Sequence, residues 1–377
     1  MSQSEPQLKL IPSIDETDHQ QWSKWLNPSN VFNQFSFLHA LEESQCVNTE
    51  TGWNVQHLQF SQNEETTGFM PLYIKNHSYG EYLFDWEWAN GFHRAGLNYY
   101  PKAVSSIPFT PVTGPRLIQK THSATTYKQI LSHIDDLNVS NFQSLYVSKQ
   151  EAEYWQQAGA LIRRGHQYSW YNKNYQDFDE FLAQLKSSAR KKIKRERRQF
   201  QQSKVNFNHY TGQKISQEIW DFFLLCYQRT YLKRSGHEGY LNKHFYDAIL
   251  EPMRENLLVI VAEYEGQPLA ASLCFIAGDT LYGRYWGTIQ DIDGLHFEVC
   301  YYQGIKFCIE NNIKCFQPGT QGDYKRRRGF IPEYTYGAYY FTSDSIRPSI
   351  QNYIEQETTQ LQSQFESWQN SSPYKQT

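Results

Sequence analysis

Apolar residues along this chain recur with two periods. At i, i+3 and i+4 spacing they mark amphipathic helices. These are expected over Phe35–Glu43, Gln217–Lys233 (Ile219, Trp220, Phe223, Leu224, Tyr227), Lys243–Met253 and Phe297–Asn311 (Val299, Tyr302, Ile305, Phe307, Ile309). The longest stripe is Phe178, Phe181, Leu182, Leu185, Ala189, Ile193 and Phe200, and it predicts one continuous helix over Asp177–Gln202. A Gln-rich helix is expected over Ser349–Gln369, with a frayed end from Ser371 to Thr377. Short β-branched and aromatic runs bounded by glycines predict strands at Phe69–Tyr73, Glu81–Trp88, Gln267–Ala270, Asp279–Trp286 and Lys314–Gln317.

The strand runs suggest a duplication. Gly68 and Gly80 stand 12 residues apart, as do Gly266 and Gly278, and a tryptophan ends each run (Trp88, Trp286). Both glycines and the tryptophan keep one offset of 198 residues between the halves. An antiparallel meander with glycine turns, flanked by helices and used twice, is an α+β unit in tandem. The expected organisation is an N-terminal domain over 1–165 and a C-terminal domain over 166–345 opening with the basic helix. A helix and tail over 346–377 complete it.

Composition narrows the class. The 377 residues carry no apolar run of spanning length, and the polar Met1–Leu10 segment lacks a signal-peptide core, so a cytoplasmic protein is expected. A net charge of −3 gives no global pull toward nucleic acid or anionic lipid. Cys46, Cys226, Cys274, Cys300, Cys308 and Cys315 form no CxxC pair and read as buried thiols; no metal site is expected. Aromatic residues reach 16%, enough to build rigid, amphipathic cleft walls.

Four features carry candidate chemistry. Arg190, Lys191, Lys192, Lys194, Arg195, Arg197 and Arg198 place seven cations around one acid, Glu196, on the predicted helix. Such crowding is repulsive unless a polyanion relieves it. A contact with anionic lipid would relieve it as well. Second, the Gly-rich run Gln317–Phe330 contains Gly319 and Gly322, then Lys325, Arg326, Arg327 and Arg328, a combination suited to phosphate. It is not a P-loop. Third, Phe109-Thr110-Pro111-Val112-Thr113-Gly114-Pro115-Arg116 is a stiff segment of the kind that positions ligands. Fourth, Asp85, His296 and Glu298 lie among aromatic residues, where apolar surroundings perturb titration and suit acid–base work.

Three of these stretches together, Pro108–Arg116, Leu281–Gly287 and Leu295–Gln303, resemble the FemAB-like predicted N-acyltransferases. The resemblance extends from about Phe35 to Phe341. Two further likenesses point to the Fem group: Leu182–Arg195 fits L-x-x-L-x-S-x-x-R-x-x-I-x-R, and Gly319–Phe330 fits a Gly-rich strand exit followed by Lys and Gly-Phe. The resemblance implies tandem GNAT-like domains, each a mostly antiparallel sheet flanked by helices. It also implies transfer of an acyl or aminoacyl group from an activated donor to an amine, with a peptidoglycan precursor as the acceptor of the Fem enzymes. The GNAT pyrophosphate loop is absent and no coiled-coil arm is present, so acyl-CoA and aminoacyl-tRNA both remain donors to be tested, and no tightly bound cofactor is expected. On this reading Glu298 or His296 acts as base, Arg284 or a backbone N–H of the meander stabilises the oxyanion, and Asp85 is a further acid–base group. Trp88, Phe109, Thr110, Thr113, Arg116, Trp286, Tyr301 and Tyr302 line the substrates, and Arg190, Lys191, Lys194, Gly319, Gly322, Lys325 and Arg328 hold phosphates. The partners would be the two substrates, tRNA among them, with peripheral contact to an anionic membrane or lipid-linked precursor. The rival reading is a non-catalytic GNAT-like protein that binds RNA or a phosphorylated or lipid-linked ligand.

Overall fold

The chain divides into two units in the computed structural model, which describes residues 7–320 and 322–375. Each unit is α+β, with mostly antiparallel strands flanked by helices, and the fold is tandem GNAT-like.

The first unit comprises residues up to Gly165 together with Tyr334–Gln364. Residues 334–345, expected in the C-terminal domain, lie here because Tyr336–Phe341 pair antiparallel with Asn141–Val147. The helix Arg347–Asn370 begins in this unit, with Ile350 and Ile354 packed in a core with Trp88, Tyr99 and Tyr339. A four-stranded antiparallel sheet (Gln7–Ile11, His57–Gln62, Glu65–Met70, Ile118–Gln119) packs Leu58, Phe60 and Met70 into a second core.

The second unit comprises His166–Glu333 and the residues from Phe365. Strands Val205–Thr211, Leu257–Tyr264, Gln267–Ala277 and Thr280–Thr288 form an antiparallel meander, turning at Gly266 and Gly278 as the sequence indicates. Cys315–Gln317 then joins Thr280–Thr288 in parallel. Helix Gln217–Ser235 packs on the meander; Ser216 caps its start, and left-handed Gly236 ends it after Lys233 and Arg234.

Five further expectations are corrected. The stripe over Asp177–Gln202 is interrupted: helices Phe178–Gln184 and Ser187–Gln201 are separated at Leu185–Lys186, where Leu185 is extended. The C-terminal segment explains the break. It is not frayed but docked: the Lys186 N–H donates to Pro373 O (2.7 Å) and the Lys375 N–H to Gln184 O (2.9 Å). The last two residues of the expected frayed end, Gln376 and Thr377, lie outside the described residues. Glu81–Trp88 is not a strand, and Trp86–Arg94 is a helix. Gly68 sits inside strand Glu65–Met70 rather than at a turn, so the 198-residue offset does not superpose equivalent positions. Finally, Phe297–Asn311 is helical but contains a π-turn over Glu298–Tyr302.

Candidate active site

Local irregularities build the site in the second unit. Thr280–Tyr282 pair in parallel with Cys315–Gln317, and no pairing continues beyond Tyr282 and Gln317. A bulge at Leu273/Cys274 offsets the neighbouring strand. Bulges and π-turns both re-aim side chains, and both concentrate at functional sites. Here they open a wedge of about 120 Å3 lined by Ser272, Arg284, Trp286, His296, Cys300 and Tyr301, among others.

The π-turn and the helical turn Leu295–Phe297 before it send their residues in two directions. His296, Cys300 and Tyr301 face the wedge. His296 packs at a tilt against Trp286 (4.8 Å between ring centres) and edge-on to Tyr301 (5.3 Å). Glu298 and Tyr302 point instead to the basic helix. Arg197 Nε donates to both Glu298 oxygens (3.2 and 3.3 Å), and Gln303 Nε2 donates to Oε1 (2.8 Å). The Tyr302 hydroxyl donates to Glu196 and accepts from Arg328 Nε (3.0 Å). Burial raises the Glu298 carboxyl, against the pull of Arg197 and Gln303. Thus the expected base Glu298 is held in a buried ion pair, while His296 lines the wedge.

The wedge is electropositive. Among the described residues no carboxylate lines it. Burial, with Arg234, Lys325 and Arg328, pushes His296 down to about 4, so the imidazole is neutral at physiological pH. The Trp286 indole N–H is buried without a partner among the described residues. Lys325 is 2% exposed and donates to Gly319 O at 2.7 Å, next to wedge residue Pro318. Burial lowers its ammonium to about 7. Among the described residues, no carboxylate lies within ion-pair distance of it.

The expected phosphate site is therefore rearranged. Gly319 and Gly322 turn the loop with positive φ, but their carbonyls serve Lys325, whose Nζ bonds Gly319 O and whose N–H bonds Gly322 O. Arg328 is consumed internally by Glu196 (Nη2–Oε1 2.8 Å), Tyr302 and Tyr324 O. Lys194 pairs with Asp179 at 3.2 Å, and Lys191 is exposed on the same helix, with Arg190 half-buried. The cations that do share a concavity are Lys186, Lys192, Arg326 and Arg327, in a groove of about 760 Å3. The sequence does not single out Lys186, because only the helix interruption at Leu185–Lys186 places it beside the loop. Arg229, Lys233 and Arg234 line another hollow that shares Trp286 with the wedge. The period of helix Gln217–Ser235 puts these three on one face, which the sequence could have revealed.

Six expected residues lie in the first unit instead, mostly as core. Asp85 is buried; its Oδ2 accepts from Lys102 Nζ (2.6 Å), Tyr99 OH (2.6 Å) and Gln143 Nε2 (3.0 Å). Lys102 also bonds Glu81 (2.7 Å) and Ser78 (2.7 Å). Burial opposes the Lys102 charge, yet Glu81 and Asp85 outweigh it and hold its affinity for protons above normal. Arg116 is saturated by backbone carbonyls of Leu145, Val112, Pro115 and Tyr146. Trp88 packs on Tyr339, Phe109 on Trp53, Thr110 is buried and Thr113 half-buried. The stiff segment is thus built around its own arginine. The described residues contain no cluster of three or more His, Cys, Asp or Glu suited to a metal ion and no helix long and apolar enough to cross a membrane.

A family model named FemAB-like, described as peptidoglycan biosynthesis/recognition, matches residues 13–376. Among solved structures, FemX aligns at 10% identity over 91% of this chain and 99% of its own, with a TM-score of 0.54. L-PGS from Bacillus licheniformis aligns at 10% identity, covering 85% and 95%, with a TM-score of 0.52. The C-terminal domain of a putative lysylphosphatidylglycerol synthetase from Agrobacterium fabrum aligns at 8%, covering 88% and 94%, also at 0.52. Identities this low speak for a shared fold. A comparison with curated protein sequences finds no match.

Proposed function

The chain belongs to the FemAB-like family, and on that premise we propose that it transfers an aminoacyl or acyl group to an amine of a peptidoglycan precursor, with the chemistry in the wedge of the second unit. The observation that carries this reading is the electropositive wedge itself: Arg284 and neutral His296 line it, buried Lys325 stands beside it, and no acid lines it.

Acyl transfer to an amine needs a deprotonated nucleophile and a stabilised oxyanion. A cationic surrounding supplies both. It disfavours an incoming ammonium, so the acceptor enters as the free amine, and it favours negative charge on the acyl oxygen. The amine nitrogen forms a C–N bond to the carbonyl carbon while Arg284 faces the developing oxyanion. Neutral Lys325, matched to neutral pH at about 7, receives the proton shed by the attacking nitrogen. The tetrahedral intermediate collapses by breaking the bond to the donor oxygen or sulfur, and Lys325 returns the proton to that leaving group. His296, Trp286 and Tyr301 orient the acyl group. Glu298 is a positioning residue, because Arg197 and Gln303 engage its carboxylate and thereby fix the π-turn.

Donor choice rests on the cations around the wedge, and an aminoacyl ester of RNA is the donor we propose. Fem-like membership favours it, and no pyrophosphate loop of the acyl-CoA type is present in the sequence. The test is single-turnover transfer from radiolabelled aminoacyl-tRNA and from acetyl-CoA to a precursor amine. Transfer from the tRNA ester should rise with pH through about 7 in the wild type and fall by at least a hundredfold in Lys325→Met. Transfer unaffected by Lys325→Met would refute the proton role, and turnover with acetyl-CoA alone would refute the donor.

A further inference from the structure

We propose that the wedge selects an acyl group carrying its own carboxylate, a group of the aspartyl type, and that Ser272 and Trp286 are the residues that read it. The inference rests on the transferase reading for the ligand being an acyl group. Its location rests on the strand pairing and on two unsatisfied donors.

Ser272 and Trp286 are direct cross-strand partners in the meander. Opposed residues of an antiparallel pair send their side chains to one face, with Cβ atoms about 5 Å apart. Both residues line the wedge. Both end in a buried polar atom without a hydrogen-bond partner among the described residues: Trp286 Nε1, and Ser272 Oγ on a residue only 3% exposed. The polar neighbour of Ser272 Oγ is a thiol: burial pushes Cys274 up to about 12, and Ser272 pulls against that rise. Sulfur is a weak acceptor, and an indole N–H can only donate. Two adjacent unpaired donors in one cavity are satisfied by an acceptor that enters it.

The surroundings make that acceptor an anion. Leu273 pairs with Tyr285 and Cys274 with Gly283, so the bulge leaves Arg284 out of the ladder, and it lines the same wedge. Arg234 lines the hollow that shares Trp286, whose one acid, Asp291, is paired with Lys233. After burial, the charges of Arg234, Lys325 and Arg328 hold the His296 imidazole neutral. An acyl group with a lone α-ammonium enters this field against repulsion. One with a carboxylate cancels that charge and gives Ser272 and Trp286 a charged acceptor, while Arg284 stays on the acyl oxygen. Volume limits its length. A space of about 120 Å3 is the share of about four waters, enough for about four heavy atoms, the size of a carboxymethyl group.

The test first reads binding without turnover. The whole chain, with its tryptophan indoles labelled with nitrogen-15, is titrated with succinamate, which has the carbonyl and the carboxylate of an aspartyl group, and with succinamide, its neutral isostere. The Trp286 N–H resonance, identified by its loss in Trp286→Phe, should shift with succinamate and stay in place with succinamide. Succinamate should bind on the order of tenfold more tightly. Trp286→Phe, which keeps a ring against His296, and Ser272→Ala should each reduce that preference, and the double variant should abolish it. Equal binding of the two probes overturns the proposal, as does a preference that survives both substitutions. Single-turnover transfer then separates the two readings. An aspartyl ester of RNA should outpace the asparaginyl and alanyl esters on the order of tenfold, and the double variant should lose this advantage. Faster transfer of the alanyl or asparaginyl group would sink this inference and leave the transferase reading standing. Selective succinamate binding with no transfer from any donor would sink the transferase reading alone.

Discussion

Replacing Lys325 by methionine should stabilise the protein and inactivate it at once. The wild-type ammonium is buried at 2% exposure with one carbonyl contact, and burial lowers it from 10.5 to about 7. At about 1.4 kcal/mol per tenfold change in proton affinity, that corresponds to roughly 5 kcal/mol withheld from stability near neutrality. Methionine keeps the apolar stem but leaves Gly319 O without its donor, which costs about 1–3 kcal/mol. The net gain is about 2–4 kcal/mol, or roughly 5–15 °C in Tm for a unit of this size. The sign of the pH dependence is fixed. Between about 7 and 10.5 the unfolded wild type binds more protons at Lys325 than the folded one, so its stability rises with pH there. The advantage of methionine is therefore full below pH 7 and shrinks toward pH 10. Urea melts of both proteins at pH 6.5, 8 and 9.5 measure it. A methionine variant less stable than the wild type at pH 6.5, or a gap that ignores pH, would refute the reading of Lys325 as an unpaired buried charge held for chemistry.

Three further outcomes follow from the packing. Lys102→Met strands the buried carboxylates of Glu81 and Asp85 and should cost about 3–5 kcal/mol at pH 8; the deficit should be smaller in urea melts at pH 5, where the carboxylates protonate. Gly287→Ala places a Cβ 1.9 Å from Cys226 O, so helix Gln217–Ser235 must move; we expect a loss of about 2–4 kcal/mol in thermal melts, and a wild-type Tm would show that the helix yields freely. Deleting residues 371–377 removes the Lys186–Pro373 and Lys375–Gln184 backbone bonds and the Tyr374 OH bond to Gly329 O (2.6 Å). It should cost about 2–3 kcal/mol and raise hydrogen exchange at Leu185–Lys186; unchanged exchange would mean the segment does not hold the break.

What the sequence determined by itself were the elements whose periodicity and caps agree. Phe35–Glu43, Gln217–Ser235 and the meander Leu257–Thr288 are legible because apolar spacing, Ser216, Gly236 and the turn glycines all favour one conformation. The α+β class and the FemAB-like membership were equally legible, and Arg284, Trp286, His296 and Tyr301, singled out in the sequence, line one wedge. Tertiary structure decided the rest, because it depends on partners distant in sequence. An apolar stripe predicts helix through Leu185, but the docked C-terminal segment offers that backbone another partner. The π-turn is invisible to a 3.6-residue pattern, yet within it Glu298 meets Arg197 while Cys300 and Tyr301 line the wedge. Charge counting found the cations but could not say which face water: Arg328 and Lys325 are buried, while Lys192 and Arg327 share the groove. A run of like charges fixes a local potential. Only the fold determines which of those charges are neutralised from within and which are left for a ligand.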